Sequence, residues 1–314
     1  MRGPGRGGAL SRASAAKRCL QLARAYLVHF ELPALQAVLT GRARGARARE
    51  ELLVRLSHRL FTSGLARAGL VLHGSHPAPV LPADRPVIVL VRHAGPFNTQ
   101  LLALLAGHAL GRDLISVGRL LPAGDPAVAL LLRPLRVALI RWNRHGPARA
   151  MRFLIRQAQA LGPRDALAFF PEGAHMSAGR RRAALAALHA SDPERALWAR
   201  RLKHVLPPVS AGAARVIAQA AAADVVIVGH TGLEDPLSCL TDLGYPPAAG
   251  GRVHLAWWHT PAAEVPREPA AIAAWLDRRW AAMDEWIARA RLPAGAPVLD
   301  PARRSTSFPS TSPS

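Results

Sequence analysis

A histidine at the end of an apolar run is the first place in this sequence where chemistry can start. Val87-Ile88-Val89-Leu90-Val91-Arg92-His93 continues through Ala94-Gly95-Pro96-Phe97 to Asn98. Imidazole is a general base near neutral pH, and reactive groups often stand where strands end and loops begin. A purely structural histidine fits the same place, so His93 alone leaves both roles open. A second apolar run, Ala166–Phe170, breaks into Pro171-Glu172-Gly173 and leads to Arg180-Arg181-Arg182. Backbone amides at such a turn, with arginines nearby, can hold phosphate; a plain turn with solvated charge is the alternative. Between the two runs, Val137–Ile140 delivers Arg141, and Arg144 follows three residues later. A guanidinium there can clamp phosphate in a bidentate way, or it is a solvated strand-end charge. His204-Val205-Leu206-Pro207-Pro208 is a fourth run, read as a strand that ends at prolines.

The elements that must carry these residues alternate. β-branched runs predict strands at Gly69–Leu72, Pro86–Val91, Ile115–Val117, Val137–Ile140, Ala166–Phe170, Val205–Pro207, Val225–Thr231 and Arg252–Trp258. Ala/Leu-rich stretches between them predict helices at about 97–110, 126–133, 147–161, 180–189, 193–201, 211–222 and 268–291. Strand and helix in alternation argue for one sheet covered by helices, an α/β fold. Helices are also expected at 17–39 and 46–68. Leu20, Ala23, Leu27 and Phe30 recur at helical spacing there, on a face that meets either a membrane surface or the rest of the domain. The division that follows is a disordered basic tail over 1–16, N-terminal helices over 17–64, a catalytic domain over 65–292 and a disordered tail over 293–314.

Composition narrows the classes. The 314 residues hold 41 Lys+Arg against 20 Asp+Glu, a formal charge of +21, and half are hydrophobic, enough for a sizeable core. The basic excess fits an anionic partner or a coding bias toward Ala, Arg, Gly and Leu. A nucleic-acid binder is the remote alternative, because the arginines are not interleaved with aromatics and no known module appears. Two cysteines form no disulfide framework, and the 13 histidines show no metal-ligand spacing, so no metal is expected. Arg24, His29 and Glu31 interrupt the N-terminal apolar stretch, which excludes a spanning helix.

In their order, the four runs resemble the glycerolipid acyltransferase family typified by 1-acylglycerol-3-phosphate acyltransferase. His93…Asn98 stands where that family has His-x4-Asp. Leu139-Ile140-Arg141 is a looser second block, Phe170-Pro171-Glu172-Gly173 the third, and Val205-Leu206-Pro207-Pro208 the last. The runs Gly229–Asp235 and Trp275–Ile287 also look like bacterial members, so the resemblance covers about residues 65–290. It implies a single mixed β-sheet covered by helices after an N-terminal helical segment. It further implies transfer of a fatty acyl group from acyl-CoA or acyl carrier protein to a lysophospholipid or glycerol-phosphate hydroxyl, 1-acylglycerol-3-phosphate foremost. His93 would be the general base and Asn98 its partner. Arg141, with Arg144 as a second candidate, would hold the acceptor's phosphate. Phe170, Pro171, Glu172, Gly173 and Arg180 would shape the acceptor site, with no cofactor beyond the acyl donor. The expected location is cytoplasmic, at the inner face of the cell membrane, where a basic surface meets anionic lipid. Removing residues 1–45 is then expected to weaken liposome binding and leave the rest folded.

Asn98 departs from the family pattern. A carboxylate fixes the imidazole tautomer and stabilises its positive charge, whereas an amide supplies no charge. Three readings follow: a working variant, a carboxylate supplied from elsewhere such as Glu172, or an impaired homologue that binds lipid or acyl donor. Ala174-His175 also departs, which bears on acceptor identity.

Overall fold

Val87–Val91 is buried along its whole length, and so are the strands on either side of it. Such continuous apolar runs belong to parallel sheets with helices on both faces. The strands are β1 (Val71–Gly74), β2 (Val87–Val91), β3 (Asp113–Arg119), β4 (Val137–Ile140), β5 (Asp165–Phe169), β6 (Asp224–Thr231) and β7 (Arg252–Thr260). They form one seven-stranded sheet in the order β1-β7-β6-β2-β5-β3-β4. The five strands from β6 to β4 are mutually parallel, while β7 runs antiparallel to β6 and pairs in parallel with β1. The sheet is therefore mixed, as the family resemblance implies. The structure, a computed structural model, describes residues 12–74, 78–95, 97–119, 126–141, 143, 145–234 and 251–291.

Alternation along the strands divides the core in two. Val87, Val89 and Val91 of β2, with Ala166 and Ala168 of β5, face one side; Ile88, Leu90, Leu167 and Phe169 face the other. On the first side lie α1 (Arg12–Tyr26), α2 (Leu32–Leu39), α3 (Gly45–Arg59), α4 (Leu65–Arg67), α5 (Asn98–Ala103) and α6 (Pro126–Leu132). Wider π turns, Leu27–Glu31 and Leu60–Gly64, join α1 to α2 and α3 to α4. The second side is covered by α7 (Gly146–Gln159), α10 (Ser210–Ala218) and α11 (Pro269–Ala290). Between these, α8 (Ala178–Ser191) and α9 (Pro193–Ala199) pack on each other. In α11 the buried Ile272, Leu276, Trp280, Met283 and Ile287 recur at intervals of three and four, the stripe a helix needs to cover a sheet.

Three expectations change. Val205–Pro207 is not a strand, because Pro207 has no N–H for a ladder and the amides of Lys203, His204 and Val205 go to the Asp284 carboxylate. The first helix begins at Arg12, inside the segment expected to be a disordered tail, while residues 1–11 and 292–314 lie outside the described residues. The N-terminal helices also share the sheet's own core. Leu22, Ala25, Phe30 and Ala34 are buried in the cluster that holds β2 and β6, so removing residues 1–45 would open that core. Phe30 thus points inward, while Leu20 and Leu27 of the expected common face remain exposed.

Candidate active site

All five parallel strands end at one edge of the sheet, and the register brings three of the predicted segments close together there. Leu90 lies opposite Phe169, and Val91 opposite Val228. His93 follows β2 by two residues and Phe170 follows β5 by one. The chain then turns away through Gly95, where a Cβ would come within 2.5 Å of the Leu233 carbonyl oxygen, so only glycine fits this close passage. Asn98 opens α5. At the end of β5, the Gly173 N–H closes a tight turn on the Phe170 carbonyl at 3.1 Å with φ +67°, again a glycine conformation.

The His93 main chain is held from two directions. Its N–H donates to Glu172 Oε1 at 3.3 Å, and its carbonyl accepts from the Met176 N–H at 2.8 Å. The ring meets the edge of Phe170 at 4.3 Å between centroids and stacks with His175 at 5.9 Å. Burial, and then the charges of His175, His230 and Arg180, push the imidazole down to about 3, so it is neutral at physiological pH. Among the described residues, neither His93 Nδ1 nor Asn98 Oδ1 has a hydrogen-bond partner, although both atoms are buried. The bond expected between the two side chains is therefore open in this structure.

Glu172 is inside the protein. Its carboxylate accepts from the backbone N–H of His93 and of Leu206 and from the Trp280 indole, each at 3.3 Å. Burial raises it to about 7 against the lowering influence of Arg92 and these donors. It ties together the ends of β2 and β5, the 204–208 run and α11, and it reaches the main chain of His93 where a substitute carboxylate would reach the ring. Pro171 adds a tether by accepting from the Val209 N–H at 2.8 Å. Arg180 lies in the first turn of α8, its N–H capped by Ser177 Oγ at 3.2 Å, and its guanidinium meets His175 Nε2. Arg141 is exposed just past β4, three strands from β2, roughly 14 Å along the sheet. Arg144 lies outside the described residues. No cluster of three or more metal-ligating side chains occurs among the described residues.

The structure adds a group of residues that the sequence reading left unassigned. Arg92 is fully buried and donates to the carbonyls of His230 and His204 and to Glu234 Oε1, the last at 2.8 Å. Glu234 also accepts from Thr231 Oγ1 and the Gly232 N–H, both at 2.7 Å. Burial would raise it, but Arg92 and then Arg291 bring it down to about 2. His230 donates from Nε2 to the Arg92 carbonyl at 2.9 Å and is lowered to about 4, chiefly by burial. Asp284 accepts the three consecutive amides of residues 203–205. One signal was legible: Arg92 interrupts an apolar run directly before the histidine.

No family model matches the chain, and no curated protein sequence does. Among solved structures, the chain is similar to a 1-acyl-sn-glycerophosphate acyltransferase from Thermotoga maritima. The superposition has a TM-score of 0.59 at 13% identity, and it covers 88% of this chain and 98% of that one. The fold is that of this acyltransferase. The coverage extends the likeness beyond the 65–290 stretch that carries the sequence motifs.

Proposed function

We propose that this chain is an O-acyltransferase that moves a fatty acyl group from acyl-CoA or acyl carrier protein to the free hydroxyl of a lysophospholipid, 1-acylglycerol-3-phosphate foremost. The observation that carries this reading is a neutral imidazole with its main chain pinned at the strand-end edge, between Phe170 and the His175–Arg180 pair. His93 takes the hydroxyl proton as the oxygen attacks the thioester carbonyl. A C–O bond forms, the C–S bond breaks, and the imidazolium returns the proton to the departing thiolate. An imidazole lowered to about 3 is a weak base in the empty site. A bound phosphate brings negative charge toward it and raises it into a working range. Arg180 and Arg141 are the guanidiniums assigned to that phosphate.

The lipid surface on which such an acceptor resides has a matching face on the protein. Leu20 (71% exposed), Leu27, Leu32 and Leu39 (79%) are bare along α1 and α2. The π turn between those helices absorbs one extra residue; without it Leu32 and Leu39 would lie about 100–140° round the axis from Leu20 and Leu27. With exposed Arg24, Arg42 and Arg44 nearby, this line suits peripheral contact with an anionic leaflet at the inner face of the membrane. No described helix is long and apolar enough to cross one.

One observation favours a second reading, an impaired homologue: Asn98 Oδ1 makes no bond to the imidazole. Acyl transfer to 1-acylglycerol-3-phosphate by the native chain, His93→Ala and Asn98→Asp separates the two. Loss of about 10²–10⁴-fold in His93→Ala is expected. A silent native chain with an active Asn98→Asp would establish the impaired homologue, and equal rates for the native chain and His93→Ala would remove the base.

A further inference from the structure

The segment that carries Asn98 lacks a lock of its own. Phe97 occupies the cap position of α5 and has no side-chain oxygen with which to accept the helix's first amides. Something else must set where Asn98 sits. The contacts that do so come from the N-terminal helix. The Tyr26 ring stacks on Phe97 at 5.5 Å with 11° between planes, and on Phe30 at 5.3 Å with 19°. Phe30 is fully buried, so the three rings form a stack with one end fixed in the core. The Tyr26 hydroxyl also accepts from Gln100 Nε2 at 3.2 Å, and Gln100 is itself buried in the first turn of α5. Tyr26 therefore grips the residues immediately before and two after Asn98, 74 positions away from Gln100 in the chain.

Nothing in the motif pattern includes Tyr26, and core packing alone does not require its hydroxyl. Two buried polar atoms without partners at the same site, His93 Nδ1 and Asn98 Oδ1, call for an explanation. A buried polar atom is costly while unpaired, so a small rearrangement that joined them would be favourable.

We propose that Tyr26 is a positioning residue, which holds the Phe97–Gln100 turn through ring stacking and its hydroxyl and thereby sets Asn98 relative to the reacting imidazole. The proposal rests on the acyltransferase reading for its activity arm, and a second readout is independent of activity. It also gives the N-terminal helices a part in catalysis besides their contact with lipid. Leu27 and Val28, which follow Tyr26 in the π turn, are exposed, so a surface bound there lies next to the ring that grips α5.

The test compares Tyr26→Phe, Tyr26→Ala, Gln100→Leu and Val226→Ala in the full chain. Val226 is buried in the same core in the middle of β6, opposite Val89 and outside the ring stack, so Val226→Ala reports what lost stability alone does. Tyr26→Ala is expected to lower kcat at least tenfold with KM changed less than threefold. Tyr26→Phe keeps the stack and should retain most of kcat, Gln100→Leu should fall between them, and Val226→Ala should melt earlier with kcat intact. The imidazole resonances of His93, followed by NMR against pH, form the second readout. Burial, with His175, His230 and Arg180, depresses this titration, so opening of the turn in Tyr26→Ala should move it upward toward the ordinary histidine value. Should Tyr26→Ala fail to fold, Gln100→Leu carries both readouts. Activity losses that merely follow melting temperature across the four variants, together with an unmoved His93 titration in Tyr26→Ala, would overturn the proposal. If the native chain transfers no acyl group while the His93 titration moves as expected, the positioning role stands and the acyltransferase reading fails.

Discussion

Two layers of the site, a few ångströms apart, are built in opposite ways. Behind the histidine, Arg92, Glu234, Asp284 and Glu172 are buried, and their polar atoms make a dense set of bonds to carbonyls, amides and each other. In front, His93 Nδ1 and Asn98 Oδ1 make none among the described residues, and Arg141 and Arg180 are exposed. Charged groups are expensive to bury, so the rear layer reflects strict placement of the backbone at residues 92–93 and 203–206. The front layer leaves His93 Nδ1 and Asn98 Oδ1 uncommitted, which suits the proposed role in binding a substrate. The contrast teaches that the fold fixes the main chain of His93 and leaves its ring nitrogen Nδ1 unbonded.

The most severe way to break this contrast is to empty the rear layer of one charge. Glu234→Leu leaves Arg92, which is wholly buried, without its carboxylate. A loss of about 3–5 kcal/mol in unfolding free energy is expected, read by chemical denaturation. His93→Ala in the front layer should cost much less by the same measure, about 1 kcal/mol, because the lost packing against Phe170 is partly offset by removing an unpaired buried nitrogen. Equal losses in the two variants would erase the distinction between the layers.

A smaller effect comes from titration. His93 and His230 are lowered from 6.5 to about 3 and about 4, so their contribution to stability is complete above pH 6.5 and is lost as pH falls toward those values. Glu172, raised from 4.5 to about 7, works the other way: its contribution is complete below 4.5 and is lost as pH rises through 7. Two imidazoles outweigh one carboxyl between pH 4.5 and 6.5, so the melting temperature should fall as pH drops across that window. His230→Gln keeps a donor for the Arg92 carbonyl and cannot titrate. It should remove part of that dependence, on the order of 2 kcal/mol at the acid end. A slope unchanged by the substitution would mean that His230 titrates like an exposed histidine and that the rear layer is wetter than its burial indicates.

Legibility in the sequence divides along the same line. Runs such as Val87–Val91 and Val225–Thr231 could be read as strands because burial on both faces demands uninterrupted apolar residues, a local property. The front-layer residues could be read from four short motifs. Of the rear layer only Glu172 could, from its Pro-Glu-Gly turn; the logic of the others is pairwise and distant, since Arg92 meets Glu234 across 142 positions and Asp284 meets residues 203–205 across about 80. Val205–Pro207 was misread for the same reason. An apolar run before prolines looks like a strand until a remote carboxylate claims its amides. The line of leucines on α1 and α2 was also hidden, since regular helical spacing does not anticipate a π turn at Leu27–Glu31.

The least effect is expected within the front layer, between its two assigned guanidiniums. Arg180 touches His175, whose ring stacks on His93, whereas Arg141 stands at the far end of the parallel half of the sheet. Both are solvent-exposed, so each attracts phosphate through a strongly screened field. The nearer one, already oriented by its contact with His175, loses less freedom when it binds. Arg180→Ala should therefore raise KM for the phosphorylated acceptor by about tenfold, and Arg141→Ala by about threefold, roughly 0.7 kcal/mol. Neither should change kcat much, because a phosphate held equally in ground and transition state contributes uniform binding. The reverse ranking would move the acceptor's phosphate toward β4. A kcat loss in Arg180→Ala would instead make the His175–Arg180 pair a part of the proton transfer, since Arg180 lowers both the charge tolerance of His93 and, through His175, the freedom of its ring.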